Sequence, residues 1–600
     1  MDQTPFRSEW YGFDELAKSL DDSIHHHLAK SSMGISPIAI AVAMNDWLMH
    51  LSVSPGKQSI LMRKGLELTA DLIGKNWNQY SNESSSKALD ARFDDPAWSQ
   101  YPFSNLRDIY LAHHDWWSDV VHVDGVAKHH DDLVSFYCKQ FLDAFSPSNY
   151  SITNPEFFKH SYESLGETWF NGFSSYISDL LAHPLLVGER ANKDLLKLAF
   201  EPGKNVALTP GAVIYENDLI ELIQYAPSTK QVFSVPLLIV PSCIMKYYIL
   251  DLSPRNSMVK YLVEQGFTVF MISWKNPDAS DRNIDFSDYL SLGVIASLRQ
   301  IKKITSCDEV HAMGYCLGGT FLSVVSAYLG HHQSAGNQGG KNKKSESLLG
   351  LPKLASTILL AAQTDFSDPG QLGLLIDEDQ LKSLRIEMAR TGYLSGKQMA
   401  ESFQFLNARD LVWAKNTKRY LFGKNDSATD MTSWNADVTR LPEKMHLEYL
   451  NRLFLNNELS MGYFQFEGNG IALIDIQSPL LVVGTERDTV SPWRSVYKIH
   501  LLTNVDTTFI LASGGHNAGI ISEPGHPNRS YQIHAVDKGH GWLDPSGYLD
   551  RSIRKEGSWW PAMRDWLADI SDVKVPARDI DERLMLRKAP GRNVLIRYAD

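Results

Sequence analysis

Apolar residues recur at helical spacing over 38–51 and 59–73, and the chain keeps that character to about residue 191, with turns rich in Ser, Asn and Pro between segments. Asp95-Pro96-Ala97-Trp98 and Ser146-Pro147-Ser148-Asn149 mark loops. Past residues 190–205 the period changes. The stretches 212–215 and 219–225 predict an antiparallel opening pair, 236–240 an apolar strand, 258–265 a helix, and 268–273, 357–361, 480–483 and 507–511 further strands. Strand–helix alternation of this kind implies a mainly parallel, doubly wound sheet with its site at the carboxyl ends of the strands. The expected organisation is a mostly helical N-terminal domain over 1–195 and an α/β domain over 196–600.

Two interruptions stand out in the second half. Residues 331–347 are polar and rich in Gly and Lys, which predicts a flexible surface loop. Residues 370–466 lie between core strands and carry helical periodicity, which predicts a cap that keeps water from the site. No apolar run reaches the roughly 18 residues a membrane-spanning helix needs, because Pro236 and Pro241 break the best candidate. Residues 1–30 carry acidic residues from Asp2 to Asp22 and lack an apolar core, so no secretory signal is expected there.

The stretch Glu309-Val310-His311-Ala312-Met313-Gly314-Tyr315-Cys316-Leu317-Gly318-Gly319-Thr320 reads as a buried strand, a sharp turn and the start of a helix. In that context a nucleophile between glycines stands clear of the sheet while strand and helix pack closely. Cys316 occupies the nucleophile position, and a helix N-terminus with a nearby imidazole favours the reactive thiolate. The four cysteines, Cys138, Cys243, Cys307 and Cys316, show no metal-ligand spacing and suit a reducing cytoplasm. The pairs His113-His114 and His129-His130 and the run His25-His26-His27 read as solvated surface, since helical neighbours point apart, and no metal is expected. Trp47, Trp77, Trp98, Trp116, Trp117, Trp169 and Phe170 are expected mainly as packing groups. A net charge of -12 gives no footprint for nucleic acid.

In the α/β-hydrolase chain order a nucleophile is followed by an acid and then a histidine. Asp488 falls in the loop after the 480–483 strand, and His516 falls in the glycine-rich loop after the 507–511 strand. His516 would then take the Cys316 proton, while Asp488 orients the imidazole or reaches an incoming hydroxyl. Backbone N–H groups of Leu317 and Cys243 are the expected oxyanion donors.

The chain strongly resembles the polyhydroxyalkanoate synthases. Beyond the Cys316 turn, the likeness rests on Ser148-Asn149-Tyr150-Ser151-Ile152-Thr153-Asn154-Pro155-Glu156, Thr209-Pro210-Gly211-Ala212-Val213, Glu221-Leu222-Ile223-Gln224-Tyr225 and Tyr247-Tyr248-Ile249-Leu250-Asp251-Leu252. It continues through Ser273-Trp274-Lys275-Asn276-Pro277, Trp434-Asn435-Ala436-Asp437-Val438-Thr439-Arg440-Leu441-Pro442 and Gly557-Ser558-Trp559-Trp560-Pro561. The resemblance implies an α/β-hydrolase-like catalytic domain that polymerises (R)-3-hydroxyacyl-CoA thioesters and releases CoA, with no cofactor. It further implies a self-sufficient class I type, a homodimer, and residence in the cytoplasm on polyester granules with granule-associated proteins. Trp434 is similar to a family tryptophan near the site or dimer contact, and Ala518, two residues beyond His516, is an expected pocket position. Where the family often has Pro-Trp-Ile-Asn-Lys, this chain has Ser242-Cys243-Ile244-Met245-Lys246, so the missing indole is expected to widen the pocket. The stretch 523–554 also departs from the family pattern. Same-fold rivals are a thioesterase and a polyester depolymerase, and a granule-associated binding protein is the rival of another class.

Overall fold

The computed structural model describes residues 16–17, 20–21, 24, 36–74, 90–181, 199–337, 350–424, 427–571 and 573–597. They form two compact units, 1–197 with 401–427, and 198–400 with 428–600.

The first unit is helical: α1 (Pro37–Ser52), α2 (Pro55–Gly74), α3 (Phe103–Val121), α4 (Lys128–Ala144), α5 (Pro155–Glu163) and α6 (Glu167–Leu181). Ser36 begins α1 by accepting the Ala39 N–H on its side chain, and Asn154 begins α5 by accepting from Glu156 and Phe157; both relieve amide groups that have no partner inside the helix. Trp98 is fully buried against Phe93 and Tyr110. The indoles of Trp47 and Trp116 donate to the Val120 and Leu61 carbonyls, so these tryptophans pack as expected. Trp169 and Phe170 do not. They stand exposed on α6 with Phe173, Tyr176, Leu180 and Leu181, because this short amphipathic helix turns more apolar surface outward than its own unit covers. His130 binds Asp46 through Nδ1 at 2.6 Å, and His114 is drawn partly inward rather than left on the surface. Residues 25–27 and Trp77 lie outside the described residues.

The segment expected as one cap is divided. Residues 401–427 belong with the N-terminal helices, because Arg409 grips the buried Asp143 of α4 at 2.6 and 2.9 Å and Arg419 pairs with Asp179 of α6 at 2.7 Å.

The second unit is built on an eleven-stranded sheet. In chain order its strands are β1 (Gly211–Glu216), β2 (Ile220–Tyr225), β3 (Leu237–Val240), β4 (Val269–Trp274), β5 (Glu309–Tyr315), β6 (Lys353–Leu360), β7 (Leu480–Thr485), β8 (Thr507–Ala512), β9 (Ser530–Val536), β10 (Ile553–Glu556) and β11 (Arg587–Lys588). Their spatial order is β10-β9-β8-β7-β6-β5-β3-β4-β2-β1-β11. From β4 to β8 neighbours run parallel, and the pairings outside that span are antiparallel. The parallel strands β3 and β7 are buried along their whole length, as strands covered on both faces must be. α7 (Leu317–Asn337) follows β5 directly. Residues 331–337 therefore continue a helix instead of opening the expected loop, and 338–347 lie outside the described residues. Among the described residues no helix is long and apolar enough to cross a membrane.

Candidate active site

Cys316 sits between β5 and α7 with φ of +52°, a conformation uncommon for a residue with a side chain. Its N–H donates to the Leu360 carbonyl at 2.9 Å, and its own carbonyl accepts from Gly319 at 2.9 Å. The glycines around it are required by contact. A Cβ on Gly318 would come within 2.3 Å of the Val240 carbonyl oxygen, and one on Gly319 within 2.4 Å of Ala362 Cβ. The turn is thus held at a strained angle by the strands on either side.

Asp488 lies just past β7 and is almost fully buried. Its Oδ1 accepts the N–H groups of Val490 and Ser491 at 2.9 and 2.8 Å; Oδ2 accepts the Thr485 hydroxyl at 3.1 Å and meets His516 Nδ1 at 2.8 Å. His516 lies on a turn beyond β8. Gly519 closes that turn onto the Gly515 carbonyl at 2.7 Å. The indoles of Trp559 and Trp560 donate to the Gly519 and Ile520 carbonyls at 2.9 and 3.0 Å, which gives the Gly-Ser-Trp-Trp-Pro motif a structural task.

Burial alone would lower the His516 pKa, but the Asp488 carboxylate and the Cys316 sulfur, by charge and hydrogen bond, hold it well above the ordinary imidazole range. The structure therefore brings Cys316, His516 and Asp488 together from three separate loops at the carboxyl edge of the sheet. Such an array can deliver a thiolate, hold its proton on an imidazole and keep that imidazole oriented.

Cys243 follows β3 and is buried; burial and the neighbouring Cys316 push its thiol well above the usual range. The loop around it is tied from a distance. The Thr439 hydroxyl reaches the Cys243 and Ile244 carbonyls at 2.7 Å, and the Trp434 indole donates to the Lys246 carbonyl at 2.8 Å. Lys246 Nζ in turn donates to the Val594 carbonyl at 2.6 Å. Trp434 is thus a buried strut for this loop, with its polar atom already engaged. Leu317 opens α7, where helix N–H groups have no intrahelical acceptor. Ala518 is exposed beside His516.

Sequence reasoning missed two side chains at the site. Tyr449 is buried, and burial together with Cys316 and Cys243 raises its phenol pKa well above 10. Tyr315 lies near His516, with ring centroids 5.7 Å apart and the rings tilted, and its hydroxyl donates to Asn517 Oδ1 at 2.5 Å. Tyr315 flanks the nucleophile in sequence and could have been flagged. Nothing local marks Tyr449. Among the described residues no group of three or more His, Cys, Asp or Glu could hold a metal ion.

Comparison with known proteins shows what the chain is similar to. Residues 89–262 match a family described as "Poly-beta-hydroxybutyrate polymerase (PhaC) N-terminus", 15–57 match "Poly-beta-hydroxybutyrate polymerase N terminal", and 236–335 match "alpha/beta hydrolase fold". A poly(3-hydroxyalkanoate) polymerase of Methylorubrum extorquens is 36% identical, over 82% of this chain and 77% of that protein. The corresponding polymerase subunits of Rhizobium meliloti and Cupriavidus necator are 32% and 34% identical, over 97% and 85% of this chain and 94% and 84% of theirs. With an α/β-hydrolase sheet, a cysteine on its nucleophile turn and this similarity over most of its length, the chain belongs to the poly(3-hydroxyalkanoate) polymerase family.

Proposed function

We propose that the protein polymerises (R)-3-hydroxyacyl-CoA thioesters into polyester through an acyl thioester on Cys316. The observation that carries this reading is the cysteine on a positive-φ turn beside an imidazole that is hydrogen-bonded to a buried carboxylate. His516 takes the Cys316 proton, and Sγ attacks the thioester carbonyl. The Leu317 and Cys243 N–H groups face the developing oxyanion. CoA leaves as its thiolate and recovers the proton from His516. His516 then accepts the proton of a 3-hydroxyl, whose oxygen attacks the Cys316 thioester, so an oxygen ester forms and the thiol returns.

Cysteine suits this chemistry better than serine. A thioester exchanged for a thioester keeps the acyl group activated until the hydroxyl arrives, and the activation is carried by the substrate, so no cofactor is needed. Tyr449, buried near Cys316, limits access by water, which would otherwise release a free hydroxy acid. Ala518, beside His516, is a place at which acyl preference can be altered, and Trp434 acts through the loop it braces. The exposed aromatic face of α6 supports contact with an apolar polyester surface, in keeping with a cytoplasmic enzyme working as a homodimer on granules with granule-associated proteins.

The test is incubation of purified protein with (R)-3-hydroxybutyryl-CoA, following free CoA by thiol titration and the acyl product by mass. CoA release with oligomeric ester is expected, and Cys316→Ala should show none. CoA release with free 3-hydroxybutyrate would make the protein a thioesterase.

A further inference from the structure

Two arginines lie close to the turn that carries His516. Arg529 immediately precedes β9, whose first residue meets the residue just past β8: the Ser513 N–H donates to the Ser530 carbonyl at 2.9 Å. Arg529 therefore stands at the sheet edge that carries Cys316, Asp488 and His516. One terminal nitrogen of its guanidinium lies 3.1 Å from where a side chain on Gly514 would begin, against the turn that carries His516. Arg487, exposed beside Asp488, donates its backbone N–H to the Gly514 carbonyl at 2.9 Å, so both arginines flank one loop.

Their charge is only partly answered. Arg529 Nε is buried without a hydrogen-bond partner, and the hydrogen bond formed by its other terminal nitrogen goes to His526 Nε2 at 3.4 Å. Burial and the like charge of Arg487 lower its pKa, while Glu523 acts in the opposite sense. Glu523 also faces Arg255 at 3.8 Å. A paired guanidinium would have its donors filled, whereas this one has a buried donor open and a second arginine beside it. Such a pair is suited to an anion with several oxygens.

We propose that Arg529 and Arg487 bind the phosphate groups of the CoA moiety, which anchors the thioester with its acyl end toward Cys316. The assignment rests on the acyl-CoA reading above. It also gives the atypical stretch that begins at residue 523 a task, since Glu523, His526 and Arg529 together frame the position.

Kinetics with two thioesters of the same acyl group test it: (R)-3-hydroxybutyryl-CoA, and (R)-3-hydroxybutyryl-N-acetylcysteamine, which has no phosphate. With the CoA thioester, Arg529→Gln should raise KM roughly ten- to a hundredfold with little change in kcat, as expected for loss of a charge-assisted hydrogen bond. Arg529→Lys should recover part of that loss, and Arg487→Gln should act in the same direction. With the N-acetylcysteamine thioester, variants and wild type should be indistinguishable. The 3′-dephospho-CoA thioester separates the sources: a variant effect that persists assigns the diphosphate, and one that vanishes assigns the 3′-phosphate. Equal loss on both main substrates would show that Arg529 merely supports the His516 turn, and an unchanged KM for the CoA thioester would show no contact; either overturns the proposal. Wild-type protein that releases no CoA would instead refute the acyl-CoA reading itself.

Discussion

Two thiols meet at this site, and their surroundings separate them. Cys243 is buried and its pKa is driven upward, by burial first and by Cys316 second, so it stays protonated, whereas Cys316 faces an imidazole. Brief treatment with iodoacetamide followed by peptide mass mapping should label Cys316 and spare Cys243; the reverse order would break the nucleophile assignment. Asp488 spends all of its accepting capacity locally, on two backbone N–H groups, one hydroxyl and His516. Asp488→Asn should lower turnover by about 10²- to 10⁴-fold, the usual scale for a disabled acid–base pair. It also carries a pH signature. A histidine whose folded pKa is raised contributes stability that is complete below its unfolded value, about 6.5, and fades as pH rises through the folded one. The stability gap between Asp488→Asn and wild type, read as urea midpoints, should therefore be widest below about pH 6.5 and narrow in alkali. A gap that widened with pH would contradict the role given to Asp488.

At the scale of elements, the nucleophile turn depends on strand and helix lying nearly in contact. Gly319→Ala places a methyl against Ala362, and overpacking of this kind costs about 1–3 kcal/mol. Ala362→Gly in the same chain should recover part of the lost thermal stability, and no recovery would mean that the crowding lies elsewhere. Much at this scale was legible in the sequence. The apolar runs 236–240, 480–483 and 507–511 became β3, β7 and β8 because strands buried on both faces need continuous apolar residues. The two outermost strands were not. β10 is exposed along its length and β11 is the pair Arg587–Lys588, so neither carries an apolar pattern, and each is a strand only because a neighbour supplies hydrogen-bond partners. Helix α7 also outran the polar signal at residue 331, where composition suggested a loop.

Over the whole molecule, buried histidines are expected to contribute to the response to acid. His311 and His446 are depressed to about 4 by burial, and His500 to about 4 by burial and by His534. Here the folded pKa lies below the unfolded one, so protons favour the unfolded chain. Stability should fall as pH drops from about 6.5 toward 4, by up to about 3 kcal/mol for a fully buried ring. Urea midpoints across that range should decline, and His446→Gln should flatten the slope; an unchanged slope would mean that other groups dominate. The same scale decided what local pattern could not. Residues 401–427 share helical periodicity with the segments on either side, yet Arg409 and Arg419 find their carboxylates on α4 and α6, more than two hundred residues away. Tyr449 is invisible as a site residue until folding sets it by Cys316, and Trp434 proves to be a strut because its indole meets the Lys246 carbonyl. By itself the sequence determined the turn at Cys316, the chain order of Cys316, Asp488 and His516 on three loops of the sheet, and the parallel core. Those depend on glycine sterics, residue chemistry and hydrophobic period within a few neighbouring residues. Tertiary structure alone decided which distant side chains brace the Cys243 loop, which segment joins the N-terminal helices and that Arg529 and Arg487 come together at the Gly514 turn, because each of these is a contact between parts of the chain that only the fold brings together.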